Sequence, residues 1–295
     1  MTFRSTFNWS AALVLAMGMA ACGGGGQTDQ GQPGTDTLAV QPEGGLVKLG
    51  NKVFSIPSPV QTVLLIRELK TPYEATLPLP TDSAARFAGK QAQALALGVY
   101  GADMAYVTAY GDGQRALKTL KAVEQLATQL NISNAFDKAL MARFQANVNN
   151  MDSLLRLSGT AFRAADMYLK NDQREDISTH ILAGGWVEGL YLTLGTTGSQ
   201  VDPKVAVRLA EQRHTLDNLI ELLERDAGSE KLVALLKDLA TSYNGVTSEY
   251  TYVEPTVDAA NKTTYINSTS KAEVPPGALG EIIRKVRAIR AAIIA

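Results

Sequence analysis

The chain has 295 residues, of which 45% are hydrophobic and 19% are charged. Its 28 Lys and Arg residues and 29 Asp and Glu residues give a formal net charge of −1, whereas a general nucleic-acid-binding protein usually carries a basic excess. One Cys and two His exclude a disulfide framework and a Cys-ligated zinc site, and they leave little room for a His-rich metal centre. The composition predicts a globular protein with a substantial core, no cofactor and no nucleic-acid partner.

The N-terminal segment predicts export from the cytoplasm. Arg4 is the only charged residue before an apolar run over residues 11–21, which has the length of a signal-peptide core and is too short to span a bilayer comfortably. The run ends at the only cysteine of the sequence, and the segment Met19-Ala20-Ala21-Cys22 resembles the bacterial lipobox. This resemblance implies that residues 1–21 are a lipoprotein signal peptide and that Cys22 carries acyl chains such as palmitate. An ordinary secreted protein with a cysteine at its cleavage site is the alternative.

The residues after the lipobox indicate where the protein is held. Lipoproteins that stay at the inner membrane commonly have an Asp directly after the cysteine, and Gly23 stands there in this chain. The resemblance therefore favours an extracytoplasmic protein anchored in the outer membrane rather than the inner membrane. Residues 22–45 are rich in Gly, Gln, Thr and Pro and show no apolar periodicity, which is typical of a flexible tether. Such a segment has an end-to-end distance of about 25 Å.

Residues 46–295 predict a single helical domain. Capping residues, proline positions and apolar periodicity place helix starts near Ser58, Thr81, Gln114, Ser133, Met151, Asp172, Asp202, Ser229 and Gly277. The second helix is predicted to be continuous from Thr81 or Asp82 to Gly111, with one apolar seam that ends at Tyr106. About nine helices with short connections predict an all-α fold, either a multi-helix bundle or a stacked array of helical hairpins.

Two segments before the last helix depart from this pattern. Residues 249–253 and 262–266 are rich in Tyr, Thr, Val and Ile, with turn-forming residues between them. They predict a small hairpin near 249–267. An ordered loop is the alternative, because an isolated two-stranded hairpin is only marginally stable.

An internal echo is the basis for a hypothesis of two repeats, 82–150 and 172–244. Residues 103–108 read acid-x-x-Tyr-x-Thr, and residues 188–193 read the same 85 residues later. Glycines lie just upstream of both segments. Three matched positions leave chance similarity open as the alternative.

Two further segments resemble an uncharacterised family of bacterial lipoproteins. They are Phe54–Pro59, which reads FSIPSP, and Leu97–Asp103, which reads LGVYGAD. The resemblance extends over most of the chain after the tether. It implies an anchored helical protein and brings no known activity with it.

The two glycine-rich helices supply the candidate site. A glycine inside a helix costs about 1 kcal/mol relative to alanine, so a cluster of them calls for a reason. Close helix packing is one explanation, and a ligand pocket between the helices is another. The predicted pocket residues are Tyr100, Asp103, Tyr106, Trp186, Glu188 and Tyr191. A third hypothesis makes Asp103 and Glu188 a general acid/base pair.

Two other patterns of charged residues give weaker evidence for a functional site. Glu211 and His214 form a single E-x-x-H on one helix face, which indicates a solvated face rather than a metal site. The last helix contains four cations, which complement the dipole at a helix C-terminus while its isoleucines pack inward. A membrane-surface role for these cations is the alternative. The four are Arg284, Lys285, Arg287 and Arg290.

Taken together, the sequence favours a lipid-anchored cell-envelope protein with a non-catalytic helical binding or scaffold body. Its expected partners are the membrane, through the N-terminal lipid, and an envelope protein or a small ligand. The alternative is an envelope enzyme that uses Asp103 and Glu188 in a cleft between the glycine-rich helices. No catalytic and no metal-ligating residue is predicted.

Overall fold

The structure, a computed structural model, describes residues 45–49, 52–56, 66–68, 71–135, 138–148, 150–171, 173–196, 202–258 and 260–295. The described residues belong to one compact unit. The predicted signal peptide, Cys22 and the predicted tether up to residue 44 lie outside these ranges. Most of the helix expected from Ser58 also lies outside them, although residues 66–68 are helical.

Eight α-helices make up most of the described chain, so the mostly helical prediction is confirmed. They are α1 (Lys90–Ala109), α2 (Gly113–Gln129), α3 (Lys138–Ala146), α4 (Met151–Asn171), α5 (Glu175–Gly195), α6 (Pro203–Leu223), α7 (Glu230–Thr241) and α8 (Pro276–Ile293). Short 3-10 turns lie at Thr81–Arg86, Ser133–Ala135 and Ser242–Gly245. The side chains of Asp112 and Asp202 cap α2 and α6 by accepting backbone N–H bonds of 3.0 and 2.8 Å.

The prediction of one continuous helix from Thr81 is wrong. The chain forms a 3-10 turn over Thr81–Arg86 and leaves helical geometry before α1 begins at Lys90. Gly89 has a φ of +84°, in the left-handed region that breaks a right-handed helix. Glycine accommodates this conformation without steric cost, and the new helix starts directly after it.

The fold is not purely all-α, which corrects the predicted fold class. Strands β1 (Gly45–Leu49) and β2 (Lys52–Ile56) pair antiparallel, with Gly45 opposite Ile56. Strands β3 (Thr247–Thr251) and β6 (Thr269–Glu273) form a second pair, and β4 (Thr256–Asp258) and β5 (Thr263–Tyr265) form a third. The third pair lies between the strands of the second along the chain, so that residues 247–273 form one long, interrupted hairpin, which we call the 247–273 hairpin.

The predicted hairpin near 249–267 is therefore present, but its pairing differs from the expected one. Glu249 lies opposite Lys271, and Tyr250 lies opposite Ser270. The predicted first strand, 249–253, thus pairs mainly with a strand beyond 267, whereas Tyr265 pairs with Thr256 nearer the tip.

Helices α1 and α5 form the centre of the helical body. Every residue from Ala96 to Ala109 is buried, and almost every residue from Ile177 to Leu194 is buried as well. Helices that are buried on all sides lie inside a larger assembly of helices rather than on its surface. The single apolar seam predicted for α1 was therefore too narrow.

The two central helices run in the same direction and touch along their backbones. A Cβ atom added at Gly98 would lie 2.0 Å from the carbonyl oxygen of Ile181 and 2.6 Å from the amide nitrogen of Gly185. One added at Gly184 would lie 2.0 Å from the carbonyl oxygen of Leu95. All three distances are too short for a Cβ atom to fit. Close helix packing therefore explains these two glycines.

We expect Gly98→Ala to destabilise the protein. The added methyl group meets backbone atoms, which can move aside only if the two helices separate. Overpacking of this kind costs about 1–3 kcal/mol, against a gain of up to about 1 kcal/mol from the better helix propensity of alanine. Denaturant unfolding should show a net loss of stability. Gly280→Ala on α8 is the control, since an added Cβ meets nothing within 4 Å there. Equal stability of the Gly98 variant and the wild type would contradict the packing argument.

Candidate functional site

Asp103 on α1 and Glu188 on α5 lie beside each other in the core. Both side chains are 0% exposed. Their carboxyl groups are close enough to hydrogen-bond to each other, and the backbone N–H of Leu79 donates to Asp103 Oδ2 at 2.9 Å. The parallel packing of the two helices thus brings together the acidic residues of the two echoed segments.

Arg290 on α8 reaches into this cluster and binds Glu188 in a bidentate manner. Its Nε donates to Oε2 at 2.6 Å, and its Nη2 donates to Oε1 at 2.9 Å. Nη2 also donates to the carbonyl oxygen of Leu77 at 3.1 Å, and Cζ lies 4.0 Å from the centre of the Tyr191 ring. Paired charge-assisted bonds and a stacked ring are the strongest contacts available to a guanidinium. We call Asp103, Glu188 and Arg290 the acid–arginine cluster.

The surroundings of Asp103 favour its protonated form. Burial raises the pKa of Asp103 well above its ordinary value, and the carboxylate of Glu188 raises it further. Burial also raises the pKa of Glu188, but the hydrogen bonds from Arg290 oppose that rise. Among the described residues, no donor reaches Asp103 Oδ1. The raised pKa of Asp103 favours a neutral acid beside the Glu188 carboxylate and the Arg290 guanidinium.

Two of the predicted pocket tyrosines lie near the acid–arginine cluster. Tyr191 stacks on Arg290 as described above. Tyr100 is 0% exposed, and its hydroxyl donates to the carbonyl oxygen of Pro80 at 2.8 Å. Tyr191 thus packs on the guanidinium of the cluster, and Tyr100 ties α1 to the segment that precedes it.

The other two predicted pocket residues make separate contacts. The Tyr106 hydroxyl accepts a bond of 3.0 Å from the backbone N–H of Glu74, and burial raises the pKa of Tyr106 to about 12. Trp186 is 5% exposed, and its Nε1 donates to Gln212 Oε1 on α6 at 2.9 Å. The structure thus gathers Asp103, Glu188 and Tyr191 around Arg290 and places Tyr106 and Trp186 in different interfaces.

A small apolar cavity lies next to the central helices, at Gly101. Side chains of α1, α2, α3, α4 and α5 line it, among them Met104, Phe144 and Ile181. The centre of a water-sized sphere can occupy about 20 Å³ inside it. This is room for one water molecule, but an apolar lining gives that water no partners. None of the six predicted pocket residues lines this cavity.

A second buried polar group, which the sequence did not predict as a cluster, surrounds His180. Its Nε2 lies 3.0 Å from Ser229 Oγ and 3.4 Å from Asp226 Oδ2, and its Nδ1 lies 2.8 Å from the carbonyl oxygen of Asp176. Ser229 Oγ in turn donates to Asp226 at 2.9 Å. His180 and Ser229 are 2% and 3% exposed. The contacts join α5 to the turn before α7, as expected of a core histidine.

The exposed apolar surface of the described chain is concentrated on the 247–273 hairpin. Six large apolar side chains of this hairpin are between 44% and 72% exposed. They are Tyr250, Tyr252, Val253, Val257, Tyr265 and Ile266. Outside the hairpin, Met167 on α4 is the one other large apolar side chain of the described residues with comparable exposure. Clustered apolar exposure of this kind marks a contact surface.

Comparison with known proteins gives no match: no protein-family model, no curated protein and no solved structure is similar to the chain. Within the described ranges, no helix is long and apolar enough to span a bilayer. In the same ranges, no three His, Cys, Asp or Glu side chains come together in a way that could hold a metal ion. Glu211 of the E-x-x-H pairs instead with Arg208 at 2.8 Å.

The position of Arg290 differs from the predicted one. The sequence pattern placed this residue among the cations near the C-terminus of the last helix, whereas its side chain points inward to Glu188 in the structure. Arg284 behaves as expected for a surface, since it is 63% exposed and pairs with Glu281. Lys285 does not, because it is 9% exposed and its Nζ donates to Asp238 Oδ1 on α7 at 2.9 Å. A cation in the last turns of a helix carries no sequence signal for an ion pair with a residue 102 positions away.

We expect Arg290→Met to be strongly destabilising. The variant leaves the Glu188 carboxylate buried without its counter-charge, and breaking a buried pair in this way costs about 3–5 kcal/mol. Adding Glu188→Leu should recover much of that loss, because the second substitution removes the unpaired charge. Arg284→Met is the control on the same helix and should leave the unfolding midpoint unchanged. An Arg290→Met variant as stable as the Arg284→Met variant would show that the ion pair between Arg290 and Glu188 does not hold α8 in place.

Asp103→Asn should change how stability depends on pH. A carboxyl group whose pKa is raised by folding stabilises the folded state below the unfolded pKa, and this contribution is lost as the pH rises through the folded pKa. Asparagine is an uncharged analogue of the protonated acid and keeps a side-chain oxygen for the backbone N–H of Leu79. The variant should therefore match the wild type near pH 4 and exceed it in stability at pH 7. Denaturant titrations of both proteins between pH 4 and pH 7 test this prediction. If the variant loses stability relative to the wild type as the pH rises from 4 to 7, Asp103 is ionised in the folded protein and the prediction is wrong.

Proposed function

We propose that the protein is a lipid-anchored cell-envelope protein whose helical body is a non-catalytic binding or scaffold module. The anchor is Cys22, and the module presents the 247–273 hairpin as its contact surface. The outer membrane is the favoured location, because Gly23 follows the acylated cysteine. The observation that carries this proposal is the contrast between a closed polar interior and an exposed apolar hairpin.

The closed interior supports a non-catalytic body. Asp103 and Glu188 were the strongest candidates for acid/base chemistry, and both are 0% exposed. Both carboxylate oxygens of Glu188 are occupied by Arg290. A general acid or base has to come within hydrogen-bonding distance of a substrate atom. The hydrogen bonds of the acid–arginine cluster instead join α1, α5 and α8 to one another and to the segment at residues 77–79.

The distribution of apolar surface supports a binding role. Large apolar side chains on a soluble body are usually covered, and a contiguous exposed set marks an interaction site. Here six of them follow one another on a hairpin whose strands β3, β4 and β5 show exposed or half-buried residues throughout. Tyrosine, which contributes three of the six, is common in binding surfaces because it combines apolar area with a hydroxyl group.

Replacement of the cysteine tests the anchor. The wild-type protein, extracted from envelopes with detergent, should yield an N-terminal peptide that begins at Cys22 and carries the mass of the attached acyl chains. Cys22→Ala should abolish both that mass and the cleavage before residue 22. The helical content of the body should not change, which circular dichroism measures. A mature chain with an unmodified Cys22 would overturn the anchoring proposal.

A further inference from the structure

We infer that the 247–273 hairpin rests in the lipid–water interface of the same membrane that holds the N-terminal anchor, through an apolar and not an electrostatic contact. This inference rests on the proposed function, because the anchor is what brings the hairpin to the membrane. It names the occupant of the contact surface, namely lipid headgroups and the upper part of the acyl chains.

The chemistry of the hairpin suits this interface. Tyr250, Tyr252 and Tyr265 each combine an apolar ring with a hydroxyl group, and tyrosine is enriched where the headgroups of a membrane meet water. Val257 and Ile266 near the tip are 70% and 72% exposed. Such side chains can enter the boundary between headgroups and acyl chains while the backbone N–H and C=O groups of the hairpin stay close to water, with which they can hydrogen-bond.

The hairpin packs on the same helix as the strand pair that follows the predicted tether in the chain. Strands β3 and β6 pack against α6, and so does β2, the second strand after the predicted tether. The chain therefore arrives from the tether at the helix that also holds the hairpin. Twenty-two residues separate Cys22 from Gly45, and a segment of this composition reaches about 25 Å. A weak apolar contact is then enough to keep the hairpin at the membrane, because a short tether holds the hairpin near the lipid surface at an effective concentration of about millimolar.

The charges of the hairpin determine which lipids it can meet. It carries four carboxylates and two ammonium groups, namely Glu249, Glu254, Asp258 and Glu273 against Lys262 and Lys271. A surface with this acidic balance is not attracted to anionic lipid. Contact therefore depends on the apolar side chains and is expected with neutral headgroups.

Quenching of a tryptophan on the hairpin tests the inference. The mature acylated protein, which begins at Cys22 and carries Tyr252→Trp, is reconstituted into phosphatidylcholine vesicles whose acyl chains are brominated near the headgroup. Interfacial side chains lie about 5–10 Å deep, within reach of these bromines. Met167→Trp is the matched control, since Met167 is 61% exposed on α4, which packs against α1, α3 and α5. Trp186 is present in both variants and is 5% exposed, so it gives the same background.

The expected result is quenching of the Tyr252→Trp variant well above that of the wild type, with no added quenching of the Met167→Trp variant. Substituting serine for Val257 and Ile266 should reduce the quenching of the tryptophan introduced on the hairpin. Replacing part of the phosphatidylcholine with phosphatidylglycerol should leave the quenching unchanged or weaken it. An increase with phosphatidylglycerol would overturn the apolar contact.

The outcomes separate this inference from the anchoring proposal. If Cys22 carries acyl chains and the introduced tryptophan is not quenched, the membrane contact is wrong and the anchor stands. If mass spectrometry shows an unmodified Cys22, the anchor fails and the inference fails with it. If the introduced tryptophan is unquenched in vesicles but is shielded from aqueous iodide in native envelopes, an envelope protein covers the hairpin and the lipid contact is overturned.

Discussion

The backbone contact between the two central helices is the constraint on which the rest of the structure depends. Gly98 and Gly184 allow α1 and α5 to approach until one helix touches the carbonyl groups of the other. Helices this close cannot keep long side chains between them, so the larger residues point outward into layers formed by the surrounding helices. Both helices are consequently buried on all sides, and every polar group on them needs a partner inside the protein. The parallel direction of the helices determines that Asp103 and Glu188 share one such environment.

The acid–arginine cluster follows from that constraint, and it ties distant parts of the chain together. Two carboxyl groups that share a buried space cannot both stay ionised, so one keeps a proton and the other needs a cation. Arg290 supplies the cation from the last helix and also binds Leu77 ahead of the first one. A buried ion pair adds little net stability compared with an apolar packing of the same volume, but it permits few alternative arrangements of the elements that contribute to it. We interpret the cluster as a device that fixes how α8 docks, in addition to the apolar contacts of Ile282, Val286 and Ile289.

The sequence predicted local structure better than long-range contacts. Asp202 marked a helix start correctly because capping depends on residues two or three positions away. Asp112, predicted only as part of the turn that ends the helix before it, caps α2 as well. The hairpin β1–β2 was missed even though Gly50-Asn51 between two apolar runs is a two-residue turn signal. The glycine-rich segments correctly drew attention to α1 and α5, since a cluster of glycines in a helix needs a physical reason. The partner of Glu188 could not be predicted, because no local pattern distinguishes the inward-facing Arg290 from the exposed Arg284 on the same helix.

The inside and the surface of the protein differ in a way that bears on what it can do. Within the described residues, the helical body encloses the acid–arginine cluster and the group around His180, and most of their polar atoms are hydrogen-bonded to nearby elements, Asp103 Oδ1 excepted. Buried polar contacts of this kind fix how the helices pack against one another. The 247–273 hairpin is the reverse case, since a two-stranded ladder is marginal by itself and its tyrosines, valines and isoleucine lie in water. Apolar side chains that contribute nothing to the core lower solubility, so they are best explained by a surface that covers them. The exposed apolar surface on which the proposed binding role rests therefore lies on the least helical part of the described chain, next to a helical body whose polar groups are buried.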